Sequence, residues 1–172
     1  MSTTNTKNII TSREFRKVMG LFATGVTVLA VEIEGEIYGM TANALTSVSL
    51  EPLLILVCVQ KEAHMATYLQ QSRQFSINIL DENREDLSNY FAGMWPDPTP
   101  PDFAFESWTC GPRLVGATGA LACRVEQFVE GGDHWIVIAS VVDLYQVKMP
   151  ANPLLYYRGQ YRKLSDNSNT QA

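Results

Sequence analysis

The sequence predicts one mainly β domain, an antiparallel barrel with short peripheral helices. Three observations carry this expectation. Short apolar or β-branched runs recur at hairpin spacing between Val26 and Val147, turn residues separate them, and helical periodicity is confined to brief stretches. Alternating strand and helix units are thereby disfavoured, and a barrel closes the sheet edges that such runs would otherwise expose.

Taken in order, Thr11 and Glu14 form a capping box, Ile10 can staple onto Phe15, and Phe15, Val18, Met19 and Phe22 share one face, which predicts a helix over Thr11–Phe22. Val26–Ile33 and Ile37–Thr41 are β-branched runs separated by Glu34, Gly35 and Glu36, a hairpin. Leu53–Val59 and Phe75–Leu80 are continuous apolar runs of interior-strand length. Ala63–Gln71 is helix-compatible. Asp81 is expected to cap a helix that reaches Phe91 and ends at Gly93. Trp95–Pro101 holds four prolines and reads as a loop at a mouth or interface. Gly119–Val129 and His134–Val147 are long strand-like runs joined by Glu130, Gly131, Gly132 and Asp133. The opening residues to about Asn8 and the close from Ser165 to Ala172 are polar and patternless, so flexible tails at 1–10 and 165–172 are expected on either side of a single domain at 11–164.

The chain has 172 residues, 46% hydrophobic and 18% charged, enough for a real core. Its net charge of −5 offers no general footprint for nucleic acid, so any polyanion needs a local patch. No apolar run approaches the roughly 20 residues that span a bilayer. The start MSTTNTKN lacks the basic-then-apolar order of a secretory signal, and a cytoplasmic protein is expected. Three cysteines, Cys58, Cys110 and Cys123, are too few and scattered for a disulfide framework, which agrees with a reducing compartment.

Familiar catalytic motifs are missing. The chain has no G-x-G-x-x-G after a strand, no G-x-x-x-x-G-K-[ST] and no G-x-S-x-G. Its two histidines, His64 and His134, lack metal-ligand spacing, so no metal site is expected. Cys58 and Cys123 sit in apolar strands, where a thiol is usually inert. Redox or group-transfer chemistry would therefore have to be carried by a cofactor.

Several segments can hold one. In YGMTANALTSVSLEP, Tyr38–Pro52, a strand gives way to small residues with Thr41, Asn43, Thr46, Ser47 and Ser49 close together. Small side chains let a flat ligand approach the backbone, and hydroxyls and amides can donate to ring heteroatoms or phosphate. Composition alone favours an ordinary loop here. Lys61 follows a strand and precedes a short helix, where an ammonium can meet a phosphate or simply be solvated. Gly131–His134 is a turn in which Asp133 can orient His134. Phe91, Ala92 and Gly93 end a helix, a C-cap with one buried aromatic on the plain reading.

Together these segments resemble the short-chain flavin reductases, the small components of two-component flavin-dependent monooxygenases. The carriers are FRKVMGLFATGVTV (Phe15–Val28), GMTANALTSVSLEP (Gly39–Pro52), FSIN (Phe75–Asn78), FAG (Phe91–Gly93), GDH (Gly132–His134) and PLLYYRG (Pro153–Gly159). Six strings in the family's order, over Phe15–Leu164, are specific. The resemblance implies an antiparallel split β-barrel that binds FMN or FAD, takes hydride from NADH or NADPH, and supplies a separate flavin-dependent monooxygenase. It implies a homodimer with flavin near the subunit boundary. By the same resemblance, Thr41, Ala42, Asn43 and Ala44 lie along the isoalloxazine edge. Ser47, Ser49 and Lys61 hold the ribityl chain and phosphate, a modest site without an arginine cluster. Phe91, Ala92 and Gly93 lie near the phosphate end, His134 sits at the reduced nicotinamide, and Tyr157 and Arg158 close the site. The fold also hosts tight FMN-binding proteins, so a flavin carrier without nicotinamide activity is the competing expectation.

Overall fold

The computed structural model describes residues 10–149 and 151–164, so apart from Ile10 the expected tails lie outside the described residues. The first helix, α1, spans Ser12–Met19 and opens on the expected capping box. Thr11 Oγ1 accepts from the Glu14 N–H at 3.2 Å, while Glu14 Oε2 accepts from the Thr11 N–H at 2.9 Å. None of its residues is buried within the chain.

The chain then runs through β1 (Thr24–Gly25), β2 (Thr27–Ile33), β3 (Glu36–Ala42), β4 (Leu45–Leu50), β5 (Leu53–Gln60), α2 (His64–Ser72), β6 (Gln74–Ile79) and α3 (Glu85–Phe91). The two-residue strands β7 (Phe105–Glu106) and β8 (Arg113–Leu114) follow, then the long hairpin β9 (Gly119–Gly131) and β10 (His134–Gln146), and finally β11 (Leu155–Tyr157) and β12 (Gln160–Arg162). Seven strands form one antiparallel sheet in the order β3-β2-β6-β9-β10-β5-β4. Its two edges, β3 and β4, are consecutive in the chain and joined through Asn43 and Ala44, with no ladder between them. The barrel is split at that seam.

β2 is buried on both faces over Thr27–Val31, which explains its unbroken apolar run. Leu29 and Val31 face the barrel core with Val57, Val59, Phe75, Ile77 and Val137, and α2 plugs one end with Met65, Ala66 and Leu69. Val28 faces a second cluster with Val26, Leu80, Leu87, Leu114 and Leu154, flanked by Phe91, Phe103, Phe105, Tyr156 and Tyr161. β6 serves both: Phe75 and Ile77 fill the barrel, whereas buried Ser76 and Asn78 bind the loop segment outside it. Asn78 Oδ1 accepts from the Leu114 N–H at 2.8 Å, and its Nδ2 donates to the Val28 carbonyl at 3.1 Å.

Two expectations need correction. Asp81 is not the cap of α3. Arg84 occupies that position without a side-chain cap bond, and Asp81 instead bridges Pro153 and accepts from the Asn83 N–H at 2.8 Å. The small-residue stretch after Tyr38 is no continuous loop either, because Leu45–Leu50 pairs with β5 as an edge strand.

Candidate functional site

The seam between β3 and β4 opens into two adjoining hollows. A cleft of about 200 Å³ is lined by Thr41, Ala42 and Asn43 from the end of β3, Ser88 and Ala92 from α3 and its cap, Met94, Tyr156 and Tyr161. It is laced by hydroxyls. Thr41 Oγ1 donates to the Ser88 carbonyl at 2.7 Å, Ser88 Oγ and Tyr161 Oη lie 2.8 Å apart, and Tyr161 Oη donates to Asn89 Oδ1 at 3.2 Å. Partial burial pushes the Tyr161 phenol above its ordinary pKa.

Asn43 and Tyr156 are shared with a larger groove of about 610 Å³. Its floor is Ala44, Leu45, Thr46, Leu56 and Cys58; its rims are Arg16, Met19 and Phe22 near α1, and Arg158 and Gly159 at the β11–β12 turn. Asn43 Nδ2 donates to Thr24 Oγ1 at 3.2 Å, fixing the residue common to both hollows. A separate apolar hollow of about 500 Å³ around Leu121, Leu144 and Tyr145 contains none of the residues singled out from the sequence.

Of those residues, the structure brings Thr41, Ala42, Asn43, Ala44, Ala92 and Arg158 to the seam. Phe91 backs it: its ring lies against Gly39 and makes edge contacts with Phe103 and Phe105, so its side chain is committed to packing. Gly93 follows the helix cap with φ +70° and is exposed. Ser47 and Ser49 lie farther along β4 outside both hollows, and Ser49 Oγ accepts from the Glu51 N–H at 3.2 Å. Tyr157 alternates away from Tyr156 and lines neither hollow. Lys61 is also outside. Its ammonium pairs with Glu130 at 3.1 Å and sits 4.9 Å from the Trp135 ring centroid.

His134 opens β10 opposite Gln60, and Ile136 lies opposite Cys58, so the register puts His134 on the sheet face that carries Cys58 in the groove floor. Its Nδ1 is 2.7 Å from Asp133 Oδ1. That hydrogen bond holds the Asp133 carboxyl below its usual range, helped by the imidazole charge and more weakly by Arg16. An ionised carboxylate can only accept, so Nδ1 is the donor in this pair and Nε2 is the ring nitrogen not engaged by Asp133.

Sequence reasoning missed Ser88, Tyr156, Tyr161 and Arg16. Tyr156 and Tyr161 were reachable, since they flank Arg158 and Gly159, a turn-like pair, at positions that face each other across a hairpin. Nothing local marks Ser88.

An antiparallel barrel that opens between its edge strands into a roomy, largely apolar seam defines a class: small barrels with a ligand-sized cleft at the split. The chain belongs to the flavin reductase family, because residues 19–165 match its flavin reductase like domain. A similar protein is the reductase component of a 4-nitrophenol 4-monooxygenase/4-nitrocatechol 2-monooxygenase from Rhodococcus opacus, 39% identical over 86% of this chain and 78% of that protein. Another, an NADH-dependent flavin reductase from a Rhodococcus species, is 38% identical over 90% of this chain and 88% of its own length. Among solved structures, flavin reductase PheA2 in its native state superposes with a TM-score of 0.86 at 39% identity, covering 91% of this chain and all (100%) of the other.

Proposed function

We propose that this protein is an NAD(P)H-dependent flavin reductase that reduces FMN or FAD and releases the product to a separate flavin-dependent monooxygenase. The observation that carries the reading is the seam. Small residues Ala42, Ala44 and Ala92 leave room beside the backbone, Asn43, Tyr161 and the Thr and Ser hydroxyls offer polar groups, and Met19, Phe22, Leu45, Leu56 and Met94 supply apolar wall. Such a donor set fits a flat heterocycle with a polar edge.

Bound flavin supplies the two-electron acceptor for a hydride from the reduced nicotinamide. The chain's part is placement. Asn43 and the backbone around it set the ring edge, and the hydroxyl network through Thr41, Ser88 and Tyr161 keeps the β3 end, α3 and β12 at fixed spacing. His134, on the sheet face that carries Cys58, orients the nicotinamide, with Asp133 holding its ring. Positioning two reactants in this way is worth up to roughly 7–11 kcal/mol of barrier in favourable intramolecular reactions.

A reduced flavin that must depart cannot be gripped tightly. With association near ~10⁶ M⁻¹s⁻¹, a Kd of about 1 μM gives release at about one per second. The open seam suits exchange on that scale. The protein works as a homodimer in the cytoplasm. Phe15, Val18, Met19 and Phe22 are 50–71% exposed, and Met19 and Phe22 also border the groove, so a second copy seated on α1 closes the site. The three cysteines are free thiols, which suits a reducing compartment.

The test is a steady-state assay of NADH and NADPH oxidation with riboflavin, FMN and FAD in turn. Oxidation that rises with added flavin is expected. A protein that stays yellow through gel filtration yet ignores both nucleotides would instead be a flavin carrier.

A further inference from the structure

The four prolines of Trp95–Pro101 lie in a strap, Met94–Asp102, whose first residue lines the cleft of about 200 Å³. Both ends of the strap are tied to one helix. The Met94 N–H donates to the Asn89 carbonyl at 2.9 Å as the chain leaves α3. At the return end Arg84 Nη2 donates to the Asp102 carbonyl at 2.8 Å. The next residue, Phe103, packs its ring on Tyr90 and Phe91, with centroids 5.4 and 5.1 Å apart. Between the ends the prolines fix φ, the Trp95 indole N–H donates to the Thr99 carbonyl at 2.9 Å, and the Thr99 N–H donates to Asp97 Oδ1 at 2.8 Å. A segment braced in this way shifts as a unit, so a tether at Asp102 bears on Met94.

Arg84 is poorly suited to its place in the helix. It stands at the N-cap of α3 and makes no side-chain cap bond, where Ser, Thr, Asp or Asn would satisfy a free N–H of the first turn. Its charge also lies at the positive end of the helix dipole. The guanidinium is turned to other partners. Asp86 takes it fork-on, with Nε 3.2 Å from Oδ1 and Nη2 3.4 Å from Oδ2, and this pair aims Nη2 at the Asp102 carbonyl.

We propose that Arg84 is a positioning residue for the bound flavin: through the Asp102 carbonyl it holds the strap against α3, so that Met94 walls the cleft and slows the departure of the ring. The inference rests on the flavin reductase reading. Arg84 lines neither hollow and acts only through the strap. A thioether suits the wall, because it is flexible and polarisable and packs well on an aromatic face. One tether between a side chain and a carbonyl is also a modest restraint, which matches a ligand that has to leave in every turnover.

Arg84→Ser is the informative variant, because it removes the tether while supplying a capping hydroxyl to α3. Arg84→Lys keeps a donor without the fork, and Met94→Ala removes the wall itself. Association and dissociation rates of FMN are followed by stopped-flow fluorescence, beside the melting temperature of each protein. Arg84→Ser is expected to release FMN about three- to tenfold faster, with association changed less than about twofold. Arg84→Lys recovers part of the loss, and the melting temperature of Arg84→Ser does not fall. Met94→Ala releases FMN about as fast as Arg84→Ser, and combining the two adds nothing, since they act in series. Wild-type release in Arg84→Ser, an effect confined to association, or effects that multiply in the double variant overturn the assignment. If Arg84→Ser melts lower, Asp86→Asn decides, because it leaves the N-cap residue in place and unseats the guanidinium: faster release supports the tether and wild-type release overturns it. A wild-type protein that binds no flavin overturns the flavin reading together with the assignment, whereas a wild-type protein that binds FMN, with variants that release it at the same rate, overturns the assignment alone.

Discussion

On the proposed reading His134 and Tyr161 have different tasks, and replacing each is expected to leave a distinct signature. If His134 orients the nicotinamide as proposed, His134→Ala lowers kcat/KM for NADH about 10–100-fold with flavin affinity unchanged. A parallel loss of flavin binding in a titration would contradict that division. Tyr161→Phe deletes the bonds to Ser88 and Asn89 and is expected to cost about 1–2 kcal/mol in denaturant unfolding. Its pH dependence has a definite sign. The folded phenol titrates above its ordinary value of 10.0, so its stabilisation is full below pH 10 and is lost as pH rises through the higher folded value. The variant's stability curve should be flatter on the alkaline limb. Cys123 shows how far single residues were legible. An apolar strand implied an inert thiol, and burial pushes this one up to about 12, so at pH 9 only about one in a thousand is thiolate and alkylation of the native protein should spare it.

Elements were legible where the pattern was local. The capping box fixed the start of α1, and turn residues fixed the β2–β3 and β9–β10 hairpins. β4 was not, because Leu45, Val48 and Leu50 are spread among Ser and Thr, and only pairing with β5 makes an edge strand of them. The β11–β12 hairpin is three residues to a side, shorter than any periodicity can announce. Two glycines show how elements are locked around the site. A Cβ on Gly39 would stand 2.5 Å from the Phe91 ring, so Gly39→Ala must push that ring against Phe103 and Phe105 and strain the α3–β3 contact. A loss of about 1–3 kcal/mol is expected, with weaker flavin binding because Ala92 moves too. Gly111 is less forgiving: at φ +72°, an added Cβ meets backbone of Ser76, Phe75 and Ala30 at 2.7–2.9 Å, where no side chain can swing aside. Gly111→Ala should cost about 3 kcal/mol or more by thermal melting, with the loop ahead of β9 torn from Asn78.

At the scale of the molecule, the site is assembled from chain segments that no local pattern connects: Arg16, Thr41–Ala44, Ser88–Ala92 and Tyr156–Arg158 meet only because the barrel opens between β3 and β4. The resemblance anticipated which strings matter but could not say that Lys61 faces away or that Arg16 faces in. The same scale governs α1. Its apolar stripe has the spacing of a core-facing helix, yet Phe15 is 60% and Val18 66% exposed. Leu50 and Leu53, paired across β4 and β5, are 85% and 47% exposed. Such surface is costly in water and invites a second copy. Phe15→Glu with Val18→Glu leaves the capping box intact and should convert a dimer into a monomer by sedimentation, with circular dichroism unchanged. Flavin affinity should drop in step, since Met19 and Phe22 would lose the cover that narrows the groove. A wild-type protein that sediments as a monomer with full reductase activity would show instead that one barrel suffices, and that the α1 stripe serves something other than closing the site.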